Sequence, residues 1–191
     1  MRKIGYDIIA KNANSKSADF DKLVTEAEYK WYIKDTPFAR KSNLYCVMNY
    51  RFKFNAIGLD YVRAEEAGIS KPLSKEEYMS IYCGENRRNL MIMEHYRWCA
   101  FHICHGFIPA TIAEILYDRD ADGRYTNGKD FMRCTHGNIT TMAGLNAFAE
   151  IISKRDNISL EEADVIKYDY QTMDQAYEYL QKSGYVIVRR Q

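Results

Sequence analysis

The sequence predicts a compact, mainly α-helical fold with one or two short β-strands. Apolar residues recur at helical spacing in several segments, and glycine and proline separate these segments. An alternating, β-prone segment follows the last predicted helix at Tyr185–Arg189, near the C terminus. With 47% hydrophobic and 28% charged residues among 191, the chain can bury a core as one domain or two small tandem units.

The first half is predicted to contain two helices and a linker. Residues 19–35 form an amphipathic pattern with Ser17 as a plausible cap, and its apolar stripe consists of Phe20, Leu23, Val24, Ala27 and Trp31. A second helix is expected over residues 38–57, ending at Gly58. Residues 67–72 are interpreted as a linker because they contain glycine, serine and proline.

The second half begins with a capping box, because Ser74 is followed three residues later by Glu77. The longest helix is predicted over residues 85–105, which lack glycine and proline. Further helices are expected over 111–117, 142–153 and 170–182, with a polar loop over 118–130 and a helix end at Ser183 and Gly184.

Charge and composition exclude several classes of function. The formal net charge is +1, from 27 basic and 26 acidic residues, so the chain lacks the basic field that binds bulk nucleic acid. No apolar run approaches the roughly 20 residues that cross a bilayer. The number of cysteines is odd, at five, and the N-terminal residues do not show a signal-peptide pattern. We therefore expect a cytoplasmic protein with free thiols.

Glu94, Arg97 and Trp98 lie within about one turn of the predicted long helix. A guanidinium group beside an indole suits a planar anion, since it can bind phosphate or carboxylate while the aromatic face accepts a ring. The alternative is a buried pair of Glu94 with Arg97 that braces the helix, with Trp98 in the core. The sequence leaves both interpretations open.

Two patterns resemble metal sites but are incomplete. His95 and His102 are seven residues apart, about 10 Å along a helix, which is too far for one zinc ion. A site built from Cys99, His102, Cys134 and His136 would lack a closely spaced cysteine pair. We therefore predict no metal site there.

The loop that begins at Asp118 has the acidic residues and Gly123 of an EF-hand loop, but Lys129 stands where the closing glutamate belongs. We therefore predict a solvated acidic turn. No serine or cysteine lies in a recognisable nucleophile motif, so we expect neither an enzyme nor a cofactor.

The segment Met93-Glu94-His95-Tyr96-Arg97-Trp98 resembles the Glu-His-x-Arg-Trp helix of the RyR domain of ryanodine receptors and its bacterial and phage-type relatives. The similarity continues through His136, Ile139, Leu145, Tyr168, Asp169, Leu180, Gly184 and Ile187-Val188-Arg189. Upstream, Trp31, residues 39–43, Lys53 and Ile57-Gly58 resemble the segment that precedes such domains. The chain departs from the family at Gly106-Phe107, where a tryptophan is usual, and its following loop is longer and more acidic.

The resemblance implies a RyR-like domain over residues 73–191, preceded by a helical segment over 1–72 that we interpret as a degenerate half-repeat. It implies a sensor that binds a flat anionic molecule, such as a nucleotide derivative, in signalling or phage defence. The candidate ligand-binding residues are Glu94, Arg97, Trp98, Asn43, Phe107, His136 and Asp169. The alternative is a protein-interaction module, and a homo-oligomer is compatible with both.

Overall fold

The computed structural model describes Tyr29, Trp31, Ile33 and residues 35–68 and 71–190, so most of the predicted helix over 19–35 lies outside the described residues. The described chain is mainly α, as predicted, with two small two-stranded sheets. Its helices are α1 (Pro37–Met48), α2 (Tyr50–Ala56), α3 (Lys75–Tyr82), α4 (Glu85–Cys104), α5 (Ile112–Tyr117), α6 (Met142–Asp156), α7 (Leu160–Ala163), α8 (Ile166–Asp174) and α9 (Ala176–Lys182). Its strands are β1 (Leu59–Arg63), β2 (Ile108–Pro109), β3 (Thr135–His136) and β4 (Tyr185–Arg189).

The contacts divide the described residues into two compact units. The first unit contains the described residues up to Glu94 together with those from Tyr168 onward, and the second runs from His95 to Lys167. The second unit is thus inserted in the sequence of the first. The boundaries of these two units, after Glu94 and after Lys167, do not coincide with the predicted domain boundary between residues 72 and 73.

The first unit is closed by an antiparallel pair of β1 and β4, in which Tyr61 lies opposite Ile187. The Leu73 amide adds a hydrogen bond of 2.8 Å to the Ile187 carbonyl. The core behind this sheet is rich in aromatic rings, with Tyr78 and Tyr82 stacked 5.3 Å apart. Its buried residues include Cys46, Tyr50, Phe54, Leu59, Leu90, Met173, Ala176 and Leu180.

Local capping explains where several helices begin. Thr36 caps α1 through a side-chain hydrogen bond to the Ala39 amide. The predicted capping box of Ser74 and Glu77 is present at the start of α3. A helix over 38–57 was predicted as continuous, but Asn49 separates α1 from α2, and Gln175 likewise separates α8 from α9.

The second unit packs α6 against the short helices α5 and α7. Its buried cluster comprises Ile115, Phe148, Ala149, Ile152 and Ala163. The parallel strands β2 and β3 pair Ile108 with Thr135 and Pro109 with His136. Arg155 fixes the loop before β3 to α6, because its guanidinium donates to the Ile115 carbonyl and to Asn127 Oδ1 and covers the Tyr125 ring.

Among the described residues, none of the helices combines the length and apolar character needed to cross a bilayer.

Candidate ligand-binding site

The last turns of α4 bring Trp98 and His102 together, because residues four positions apart share a helix face. Their ring centroids are 3.7 Å apart. His102 Nδ1 donates a hydrogen bond of 2.9 Å to the Trp98 carbonyl, which can only accept. In the neutral ring the proton is therefore on Nδ1, and Nε2 is an acceptor.

Strand β3 brings His136 to the same place. Its ring lies edge-on to Trp98, with centroids 4.9 Å apart, and 5.7 Å from the ring of His102. The Asn138 amide donates a hydrogen bond of 3.1 Å to His136 Nδ1. In the neutral ring of His136 the proton is therefore on Nε2, which is a donor. The two imidazoles thus have opposite tautomers.

Both imidazoles are neutral at physiological pH. Burial, helped by the positive charges of Arg97 and Lys129, lowers the pKa of His102 to about 4, against the opposing effect of its hydrogen bond to the Trp98 carbonyl. Burial likewise lowers the pKa of His136 to about 3, again with a contribution from Lys129. The charges of Arg97 and Lys129 therefore reach an aromatic cluster that carries no charge of its own.

Phenylalanine rings extend this cluster toward the surface. Buried Phe107 lies edge-on to His102 at 5.3 Å and edge-on to Phe131 at 5.6 Å. Phe131 is exposed, and the Lys129 ammonium lies 5.2 Å from its ring centroid. The aromatic cluster, defined here as Trp98, His102, His136, Phe107 and Phe131, combines buried and accessible rings next to a cation.

The structure brings together three of the predicted site residues, Trp98, Phe107 and His136. Arg97, the residue before Trp98, acts on His102 through its positive charge. Sequence reasoning missed Lys129 and Phe131 as site residues and weighed His102 only as a zinc ligand. The spacing of four residues between Trp98 and His102 on one predicted helix could have indicated that the two rings are in contact.

The other predicted site residues belong to the first unit. Glu94 is buried there and forms an ion pair with Lys53, which is fully buried. Asn43 lies on α1 and Asp169 on α8, both partly buried. None of these three residues belongs to the aromatic cluster of the second unit.

Neither metal pattern develops into a site in the described part of the chain. Within residues 35–68 and 71–190 no three His, Cys, Asp or Glu side chains are grouped to hold a metal ion. In the loop after α5, Asp118 pairs with Arg133, and Asp120 Oδ1 accepts from the amides of Asp122 and Arg124. The acidic loop is therefore held by internal partners.

Comparisons with known proteins gave no match to a family model, to a curated protein or to a solved structure.

Proposed function

We propose that the second unit is a non-enzymatic, RyR-type ligand-binding module that recognises a flat anionic small molecule, such as a nucleotide derivative, at the aromatic cluster. The observation that carries this proposal is the partly exposed Trp98 indole, which lies tilted against the His102 ring and edge-on to His136, with the charges of Arg97 and Lys129 acting on these histidines. An aromatic face with cations beside it suits a planar anion.

Each group has a distinct part in this proposal. The Trp98 ring supplies a stacking surface for the planar part of the ligand. His136 supplies Nε2–H as a hydrogen-bond donor, because the Asn138 amide occupies its Nδ1. Arg97 and Lys129 attract the anionic group, and the guanidinium of Arg97 can form two parallel hydrogen bonds with it.

The pKa values favour binding over acid–base catalysis. A general acid or base works best when its pKa lies near the operating pH. His102 and His136, with pKa values of about 4 and about 3, are far from neutrality. They suit neutral hydrogen-bonding and stacking partners better than proton shuttles.

Tryptophan fluorescence tests the proposal. In a Trp31→Phe variant, Trp98 is the remaining tryptophan. We expect adenosine or guanosine phosphates to quench it saturably, and the uncharged nucleosides to bind more weakly. Arg97→Lys keeps the positive charge but loses the planar guanidinium group that binds an anion through two hydrogen bonds. The affinity for the nucleotide should therefore fall by about fivefold or more. Arg88→Lys, an exposed substitution on α4, is the matched control and should bind as the parent does.

The proposal fails if none of the nucleotides changes Trp98 fluorescence and native mass spectrometry of the purified protein finds no co-purified small molecule. It also fails at this site if a ligand binds equally well to the folded parent and to Arg97→Lys and Lys129→Ala variants, because the ligand then lies elsewhere.

A protein-interaction module is the second candidate, because Met132 is 94% exposed next to the exposed ring of Phe131. Exposed apolar side chains that adjoin one another mark interaction surfaces. The simplest partner is a second copy of the chain. Light scattering after size exclusion would then show a concentration-dependent dimer for the parent chain. The dimer would be lost in the double variant with Phe131→Ser and Met132→Ser.

A further inference from the structure

Helices α1 and α2 carry an apolar stripe on their exposed side. The stripe consists of Leu44, Tyr45, Met48 and Phe52, all exposed, with Met48 at 69% and Phe52 at 66%. The opposite side of these helices is buried in the core of the first unit through Cys46, Tyr50 and Phe54. The two helices are thus apolar on both sides, whereas a surface helix normally has a polar outer side.

A second stripe with the same spacing precedes α1 in the sequence. Phe20, Leu23, Val24, Ala27 and Trp31 are separated by three, one, three and four residues, and so are Lys41, Leu44, Tyr45, Met48 and Phe52. Steps of three and four residues return to the same helix face, so the first set is expected to share one side of its predicted helix, and the second set runs along one side of α1 and on into α2. The two sets therefore have the same length, with Lys41 in place of an apolar residue at the position that corresponds to Phe20.

Four of the five positions in each set pair with one another if the chain reverses at Thr36, the residue that caps α1, whereas Leu23 falls opposite Asn49 and Leu44 opposite Glu28. If the chain reverses there, Trp31 faces Lys41, Ala27 faces Tyr45, Val24 faces Met48 and Phe20 faces Phe52, since the residue numbers of each pair add up to 72. Ile33 is still helical and α1 begins at Pro37, so the connection is at most three residues, within the range of about 2–5 found in antiparallel helix hairpins.

We propose that the exposed face of α1 and α2 is the docking surface for this chain's own segment 19–35, which pairs with it as an antiparallel helical hairpin. The described residues next to α1 agree with this register. Tyr29 and Ile33 are exposed, and Trp31 between them is partly buried. On a helix of 3.6 residues per turn, positions 29 and 33 lie on the side opposite the stripe.

The charge of the segment also suits an intramolecular partner more than a membrane surface. Its outer positions include Asp21, Glu26 and Glu28 besides lysines, so it lacks the one-sided basic character that membrane-surface helices use. A tethered segment also reaches its partner at a high effective concentration, which a second molecule does not.

Cysteine cross-linking tests the register in the full chain. In a background with Cys83, Cys104 and Cys134 replaced by serine, the pair Val24→Cys with Met48→Cys is treated with a short bis-maleimide. We expect intramolecular cross-linking at a rate independent of protein concentration. The matched control, Glu26→Cys with Met48→Cys, should react at least about tenfold more slowly, because position 26 lies on the other side of the helix.

A second pair, Ala27→Cys with Tyr45→Cys, keeps the test valid if the first pair disturbs folding, and thermal melts establish which variants are folded. Cross-linking within one chain at both in-register pairs supports the proposal. Cross-linking between chains would make a second copy the occupant and overturn it. Equal rates for the in-register and control pairs would also overturn it, because the segment would then have no fixed position on the face.

Discussion

The Lys53 ammonium and the Glu94 carboxylate form an ion pair inside the core of the first unit, and neither side chain has significant contact with solvent. The Lys53 ammonium also lies 5.5 Å from the ring centroid of Tyr50. Removing charges from water costs several kcal/mol per ion, so each of these groups depends on the other for its burial.

Lys53→Met should therefore lower the free energy of unfolding by about 3–5 kcal/mol, since Glu94 would remain as a buried charge without this partner. The double variant with Lys53→Met and Glu94→Leu should recover most of that loss. Urea denaturation measures both. Lys75→Met is the control, because Lys75 pairs with Glu178 at the surface and should cost at most about 1 kcal/mol. If the double variant is less stable than Lys53→Met, the pair is not the reason for the loss.

Stability of the second unit should fall as the pH is lowered from about 6.5 toward about 4. His102 and His136 have folded-state pKa values below the 6.5 expected for the unfolded chain, so the unfolded state binds more protons in this window. Each histidine contributes a slope of at most about 1.4 kcal/mol per pH unit. Denaturation at a series of pH values measures the slope.

His102→Asn and His136→Asn are the controls, because an amide can replace the Nδ1 hydrogen bond but does not titrate. Each variant should have a smaller slope between pH 6.5 and 5 than the parent. Parallel curves for parent and double variant would contradict the buried, neutral state of these two rings.

Gly184 has φ of +79°, in the left-handed region predicted for the residue that ends the last helix. Gly184→Val should cost at least about 1 kcal/mol, because a β-branched residue resists this conformation. The cost is one of backbone strain, since no atom beyond the two adjacent residues lies within 4 Å of the added Cβ. Gly184→Asn should cost less, because asparagine tolerates this region. Equal stability of the valine variant and the parent by denaturation midpoint would refute the strain.

Calcium should leave the protein unchanged. The carboxylates of the loop after α5 already have partners, Arg133 for Asp118 and backbone amides for Asp120. Lys129 occupies the position of the closing carboxylate. Isothermal titration calorimetry should give no binding heat at micromolar calcium. A micromolar site that disappears in Asp118→Ala would show that the ion displaces these partners.

Features set by neighbouring residues were predictable. The capping box of Ser74 and Glu77, the positive φ of Gly184 and the strand Tyr185–Arg189 depend on a few adjacent positions, and all three are present. The break at Asn49 was missed because no glycine or proline marks it. Strand β1 was missed because its five residues follow a helix directly and their partner strand is far away in the sequence.

The candidate site was less predictable for the same reason. The neighbourhood of Trp98 and His102 follows from helix spacing, but its contact with His136 depends on how β3 folds back. Glu94 forms an ion pair with Lys53, 41 positions earlier in the sequence, and this partner was not predicted. A local sequence pattern does not predict such a partner, because a buried charge can pair with any residue that the tertiary fold brings next to it.

The insertion of the second unit between the two parts of the first has a consequence for the order of folding. Residues of the second unit are contiguous, so its short-range contacts can form while the chain is still being synthesised. Strand β1 must wait for β4, which is synthesised only after the whole second unit, and closing so long a loop slows folding. Until β4 arrives, β1 keeps an unpaired edge that can pair with other chains, which makes the nascent chain prone to aggregation at this strand.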